Sequence, residues 1–152
     1  MQNLKKFIRQ FREIQPKFSR LYSRMLGGAG LTPPQYALLL ELIELAPSPM
    51  SMTAVSRKLY ISKPAVTNLV DRLEKRRLLK RLPHPEDRRI ALLEIQPAGK
   101  KLAGQMRGRI LALMLHTAKQ FNEKERLTIQ RFYSVLSKRI DETLLDSKRI
   151  AR

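Results

Sequence analysis

From Ser62 to Arg72 the chain reads Ser-Lys-Pro-Ala-Val-Thr-Asn-Leu-Val-Asp-Arg. Ser62 suits a helix cap, and Pro64 suits a first turn, where its missing N–H does no harm. Val66, Leu69, Val70 and Leu73 repeat at helical spacing and form a stripe to be buried. Lys63, Ala65, Thr67, Asn68, Asp71 and Arg72 are left on the outer face. A B-DNA major groove admits one α-helix, and base edges are met by residues near its start, where small side chains permit close approach. Asn68 can pair bidentately with adenine, and Thr67 can touch a thymine methyl or a phosphate. Taken alone, the same residues also describe an ordinary capped surface helix.

A second group follows at Pro83-His84-Pro85-Glu86-Asp87-Arg88-Arg89. It lies between two short strand patterns, 78–82 and 90–95, so it reads as the loop of a hairpin wider than the tightest type. Arginines at such a tip, Arg88 and Arg89, can enter a narrow minor groove. Asp87 beside them is out of place at a DNA surface unless it holds an arginine in position. Arg57, Lys58, Lys75 and Arg76 flank the helix pair as candidate phosphate contacts. Between Arg57 and Arg89 there are 11 Lys and Arg against 4 Asp and Glu, so +7 of the net +18 lies in 33 residues.

These groups need elements to position them. Ser51 caps a short helix of about 52–59, Tyr60-Ile61 makes a turn, and the helix from Ser62 reaches about Arg76. Before them, Thr32-Pro33-Pro34-Gln35 starts a helix with a cap, a proline at its first position and a capping box. That helix carries Tyr36, Leu38, Leu39, Leu42, Ile43 and Leu45, and Pro47-Ser48-Pro49 stops it. Leu4, Phe7, Phe11, Ile14, Phe18, Leu21 and Met25 are spaced 3, 4, 3, 4, 3, 4, the seam of a helix packed on other helices. Pro16 predicts a kink or break in it, and Gly27-Gly28-Ala29-Gly30 ends it. A helix of about 98–119 and a last one capped by Asn122 with Glu125 close the chain. Their apolar stripes are too long to bury on the small middle region. They predict a dimer with intertwined ends.

The composition sets outer bounds. The length of 152 residues allows one domain with a real core, and 43% hydrophobic with 29% charged residues is ordinary for a globular protein. The 31 Lys and Arg against 13 Asp and Glu favour a polyanion, nucleic acid or an anionic membrane surface. No cysteine is present, which excludes disulfides, Cys-type zinc sites and thiol redox sensing in this chain and fits a reducing cytoplasm. No apolar run approaches the roughly 20 residues that span a bilayer. Residues 1–26 also fit a basic amphipathic transit peptide or a membrane-surface helix, but neither explains the regular seam.

Enzyme chemistry finds no support. His84 and His116 are the only histidines, with no Ser-His-Asp or metal-spaced cluster around them. His84 beside Glu86 and Asp87 has metal-ligand types, though a lone loop histidine is ordinary. Gly27-Gly28-Ala29-Gly30 lacks the Lys-Ser/Thr of a phosphate loop. No catalytic residue, metal or cofactor is expected.

Four segments together resemble the MarR (multiple antibiotic resistance regulator) family: Leu31 to Leu39, the Ser62 to Leu73 helix, Leu78-Leu79-Lys80-Arg81, and Asp87-Arg88-Arg89. Their order and spacing match over essentially the whole chain. The resemblance implies a mainly α fold with a small β wing, a winged helix-turn-helix. It also implies a homodimer acting on a pseudo-palindromic double-stranded DNA operator. In that family the second helix of the pair reads the major groove, and the arginine corresponding to Arg89 enters the minor groove, oriented by Asp87. Small anionic, often phenolic, ligands alter operator affinity. The family usually has glycine where Tyr60 and Arg77 stand, and threonine where Gln96 stands.

The expected organisation is a single chain with a DNA-binding region at 32–96 and dimerisation helices at 1–28 and 98–147. The expected function is a cytoplasmic, sequence-specific transcriptional regulator, a repressor, with no membrane partner. The alternative is a non-specific architectural DNA- or RNA-binding protein.

Overall fold

The computed structural model describes residues 2–44 and 48–150, with side chains through residue 144. Leu45 and Pro47, read as the end of the second helix, lie outside the described residues. Among the described residues, six helices and three short strands follow in the order α1 (Gln2–Gly27), α2 (Pro33–Glu44), β1 (Met50–Ser51), α3 (Met52–Lys58), α4 (Lys63–Lys75), β2 (Leu79–Pro83), β3 (Ala91–Ile95), α5 (Pro97–Ala118) and α6 (Glu123–Ile150). Two compact units divide the chain, Met1–Met106 and Arg107–Arg152.

The core of the first unit is built from one face of each middle element. Tyr36, Leu38 and Leu39 of α2, Val55 of α3, Val66, Val70 and Leu73 of α4, and Leu79 and Leu93 of the sheet are fully buried. The α4 stripe is the one that the sequence marks, with Leu69 half-buried beside it. Gln35 is also buried, and its Oε1 accepts from the Thr32 N–H at 2.9 Å, closing the start of α2 as the capping pattern requires.

Three features differ from the expectation or add to it. The sheet has three antiparallel strands in the order β1-β3-β2, rather than the two of a hairpin. Met50 pairs with Leu93 and Ser51 with Leu92. A two-residue strand leaves no periodic trace, and its buried Met50 reads as part of the loop. Secondly, α1 continues through Pro16 without a break; the lost bond of one N–H is tolerated on a long helix. Thirdly, α5 lies hard against the entry to β2. A Cβ at Gly99 would stand 2.1 Å from the Leu78 carbonyl oxygen, so only glycine fits there.

α5 begins one residue earlier than its apolar pattern suggests, at Pro97. Gly99, Ala103 and Met106 face inward, whereas Leu113 and Met114 are exposed. At the start of α6 the Asn122 N–H donates to Glu125 Oε2 at 2.7 Å and the Glu125 N–H to Asn122 Oδ1 at 3.0 Å, a reciprocal cap. Among the described residues no helix is long and apolar enough to cross a membrane.

Candidate nucleic-acid interface

The helix pair is set by its caps. Ser51 Oγ accepts from the Ala54 N–H at 3.2 Å and Ser62 Oγ from the Ala65 N–H at 3.4 Å, so both helices start where the sequence places them. Their ends are alike too. At the end of α3 the Ile61 N–H reaches the Ser56 carbonyl and the Tyr60 N–H reaches that of Arg57. At the end of α4 the Leu78 N–H reaches Leu73 and the Arg77 N–H reaches Glu74. This 6→1 and 5→2 pairing is a Schellman motif, which needs a left-handed residue at its turning point. Tyr60 and Arg77 occupy those points, each with φ of 55°. The backbone is therefore the one glycine would give, and the side chains bear the strain, roughly 1 kcal/mol or more each.

Lys63, Thr67, Asn68 and Arg72 are exposed along α4, with Ala65 half-buried near its start and Ser62 exposed at the cap. Thr67 Oγ1 donates to the Lys63 carbonyl at 3.2 Å, one turn back, and the residue stays exposed. Asp71, read with that outer set, is engaged by the sheet. It is half-buried and accepts from Arg81 Nη2 at 2.6 Å, while Glu74 accepts from Arg81 Nη1 and, at 3.1 Å, from the Arg81 N–H. One guanidinium of β2 thus grips two carboxylates a turn apart on α4. Burial alone would lower the Arg81 pKa, but the hydrogen bond to Asp71 and the charges of Glu74 and Asp71 outweigh it and raise it.

The wing is held in a defined shape as well. The His84 N–H donates to the Ile90 carbonyl and the Ile90 N–H to that of Asp87, closing the loop. His84 Nδ1 accepts from the Glu86 N–H at 3.2 Å. Asp87 Oδ1 accepts from the Arg89 N–H at 3.0 Å and from Arg89 Nε at 3.3 Å. The Arg89 side chain remains 92% exposed, so the carboxylate directs the guanidinium outward without covering it. Arg88 is exposed beside it. Lys80 pairs with Glu94 across β2 and β3 at 2.7 Å. Among the described residues no cluster of three His, Asp or Glu could hold a metal ion.

The flanking cations differ in their freedom. Arg57 and Lys75 are exposed. Lys58 pairs with Glu41 of α2 at 2.5 Å. The Arg76 guanidinium lies over the turn after α1, where Nη1 donates to the Gly30 carbonyl and Nη2 to that of Ala29 at 3.1 Å. No local pattern marks that contact, since 46 residues separate Arg76 from Gly30. Arg81 did leave a signal: it follows Leu79 by two, on the core side of a strand, where a cation needs a partner.

Residues 29–90 match the model of the MarR family. The chain is similar to an uncharacterized HTH-type transcriptional regulator of Bacillus subtilis, YsmB, at 33% identity over 78 residues, covering 51% of this chain and 52% of that protein. The chain spans a little over half the length of the curated relatives it matches. Its fold is that of a MarR family protein from Bacillus stearothermophilus, with a TM-score of 0.76 at 18% identity over 92% of this chain and 96% of the other. It is also that of a single-residue mutant of S. aureus MepR bound to an oligodeoxyribonucleotide, with a TM-score of 0.65 at 19% identity over 88% and 97%.

Proposed function

We propose that this chain, a winged helix-turn-helix protein of the MarR family, regulates transcription by binding a pseudo-palindromic duplex operator as a homodimer. The observation that carries the reading is the Arg81 grip on Asp71 and Glu74. It joins α4, with Lys63, Thr67, Asn68 and Arg72 exposed, to the sheet whose wing directs Arg89 outward. A rigid link between a groove-reading helix and a wing lets one duplex meet both at a fixed spacing.

In this reading α4 enters the major groove, with Ser62, Ala65, Thr67 and Asn68 near its start at the base edges. Lys63 and Arg72 lie at or beside the groove. Arg89 enters the minor groove, steered by Asp87, with Arg88 next to it. Arg57, Lys58 and Lys75 take phosphates, whereas Arg76, read with them from the sequence, is held on the turn after α1.

The dimer is supported by apolar surface that monomers rarely leave open. On α1, Leu4, Ile8 and Ile14 are 62%, 56% and 57% exposed, and in the second unit Leu127, Tyr133 and Val135 are 59%, 63% and 55% exposed. A second copy is the partner that fits both. Repression follows if the operator overlaps a promoter. A small anionic or aromatic ligand is the class of effector expected to weaken binding. The absence of cysteine fits work in a reducing cytoplasm.

Selection of bound duplexes from a random pool tests the reading. A symmetric site with half-sites about one helical turn apart is expected. Arg89→Ala should weaken binding to that site, and Asn68→Ala should relax preference at one base position by about 1–3 kcal/mol. Enrichment of no site at all would return the chain to the architectural alternative.

A further inference from the structure

The charge of the chain is not concentrated where the operator would lie. α1 holds seven Lys and Arg, from Lys5 to Arg24, against a single acid, Glu13. Its net +6 nearly equals the +7 of the whole stretch from Arg57 to Arg89. At 3.6 residues per turn the two classes of side chain separate cleanly. Leu4, Phe7, Phe11, Ile14, Phe18 and Tyr22 share one side, and all seven cations lie on the other. Every one of those cations is exposed. Glu13 stands 3.9 Å from Arg9 and offsets only part of one of them.

The apolar side is already committed at its C-terminal end. Leu26 is fully buried, and the Tyr22 ring lies against Phe18 at 5.9 Å and edge-on to Tyr36 of α2 at 5.7 Å. A membrane-surface helix must turn its apolar side into the lipid, and α1 cannot do so while Tyr22 is packed on α2. The cationic side carries no large apolar residue with which to insert. A line of cations without apolar content suits a polyanion of regular charge. Duplex DNA offers about one charge per 1.7 Å of axis. From Lys5 to Arg24 the stripe runs about 28 Å at 1.5 Å per residue, close to one turn of duplex, ~34 Å.

We infer that the cationic face of α1 is a second, sequence-independent contact surface for duplex DNA, separate from the recognition helix and the wing. The inference rests on the DNA-binding reading above and extends it to duplex beyond the operator core. Its physical basis is counterion release, so its signature is a salt slope rather than a base preference.

The test uses the full chain carrying K5Q/K6Q/R9Q/R12Q, which leaves the apolar side intact. Two duplexes are compared: one of roughly 20 bp holding only the two half-sites, and a long one of random sequence. Expected is less than a two-fold change on the short duplex. On the long duplex, affinity at low salt should fall more than ten-fold, and the slope of log affinity against log salt should drop by about 3, near the limit for four cations at ~0.9 each. The charge-preserving variant K5R/K6R/R9K/R12K should bind both as the parent does. Unchanged affinity for the long duplex overturns the inference, as does an equal loss on both duplexes. Loss by the charge-preserving variant overturns it too, because packing rather than charge would then be at work. A third arm uses phosphatidylserine vesicles: loss of vesicle binding with long-duplex affinity intact would assign the face to a membrane. Failure of the regulatory reading looks different, since the parent would then select no symmetric site while random-duplex binding still reported on α1.

Discussion

Arg76 caps the turn that ends at Gly30. Its guanidinium donates to the Gly30 carbonyl and to that of Ala29. A Cβ on Gly30, whose φ is +64°, would stand 3.5 Å from both terminal nitrogens. The last residue of the α4 cap is thereby tied to the end of α1. α4, proposed to read the groove, and α1, proposed as a dimerisation helix, share one hydrogen-bonded joint.

Arg76→Ala should therefore act on the protein before it acts on DNA. The exposed joint contributes about 1 kcal/mol, read as a lower midpoint in urea unfolding. The salt slope of operator binding should stay as in the parent. A slope lower by about 0.9 with unchanged unfolding would make Arg76 a phosphate contact instead.

Arg81→Met should uncouple wing from helix. The three-membered ion cluster is partly exposed, with Arg81 30%, Asp71 46% and Glu74 36% accessible, so its loss should cost stability only about 1 kcal/mol. Operator affinity should fall further than that, because α4 and the wing would no longer hold a fixed spacing. Restoring the charge as Arg81→Lys should recover stability in part but not affinity, since only a guanidinium spans both carboxylates. Equal, small losses of both kinds would reduce the cluster to a surface ion pair.

Arg77→Gly and Tyr60→Gly should each stabilise the protein. Relief of left-handed strain contributes roughly 1–2 kcal/mol, offset in part by the greater freedom of glycine in the unfolded chain. The expected net gain is about 0.5–1 kcal/mol per site in thermal unfolding, with β-branched replacements shifting stability the other way. No gain at either site would mean that side-chain contacts of Tyr60 or Arg77 outweigh the strain.

Gly99→Ala should be the most damaging of the small substitutions. A methyl placed 2.1 Å from the Leu78 oxygen forces α5 away from the sheet, where the Gln96 N–H also bonds to that oxygen at 3.0 Å. Overpacking of this kind costs about 2–3 kcal/mol. Ala103→Gly, one turn on, removes only a buried methyl and should cost less. Calorimetry on the two variants separates the cases.

Much of the helix-turn-helix was legible because its signals are local. Ser51, Ser62, Gln35 and Asn122 declare helix starts through side chains that satisfy N–H groups within three residues. The buried stripe of α4 follows from spacing alone. The Asp87–Arg89 contact was legible too, because its two partners are only two residues apart; the resemblance added which arginine is held and which groove it would enter. By contrast, β1 is too short to carry a period. Arg76 and Arg81 meet partners 46 and up to 10 residues away, and helical spacing, which puts Asp71 on the outer face, does not reveal that Arg81 engages it there.

Where the elements begin, which faces are apolar and where the positive charge lies could all be read from the chain, because each is fixed by near neighbours. What Tyr60 and Arg77 do is settled only by packing in three dimensions. Both residues prefer a right-handed backbone, yet each is flanked by groups anchored elsewhere. Leu73 and Leu78 are buried on either side of Arg77, and Ser56 Oγ donates to the Ile61 carbonyl at 2.6 Å beyond Tyr60. With both sides of each turn fixed by burial or hydrogen bonding, the residue between them takes the left-handed turn that joins them. Packing energy shared over many contacts outweighs a local preference of about 1 kcal/mol.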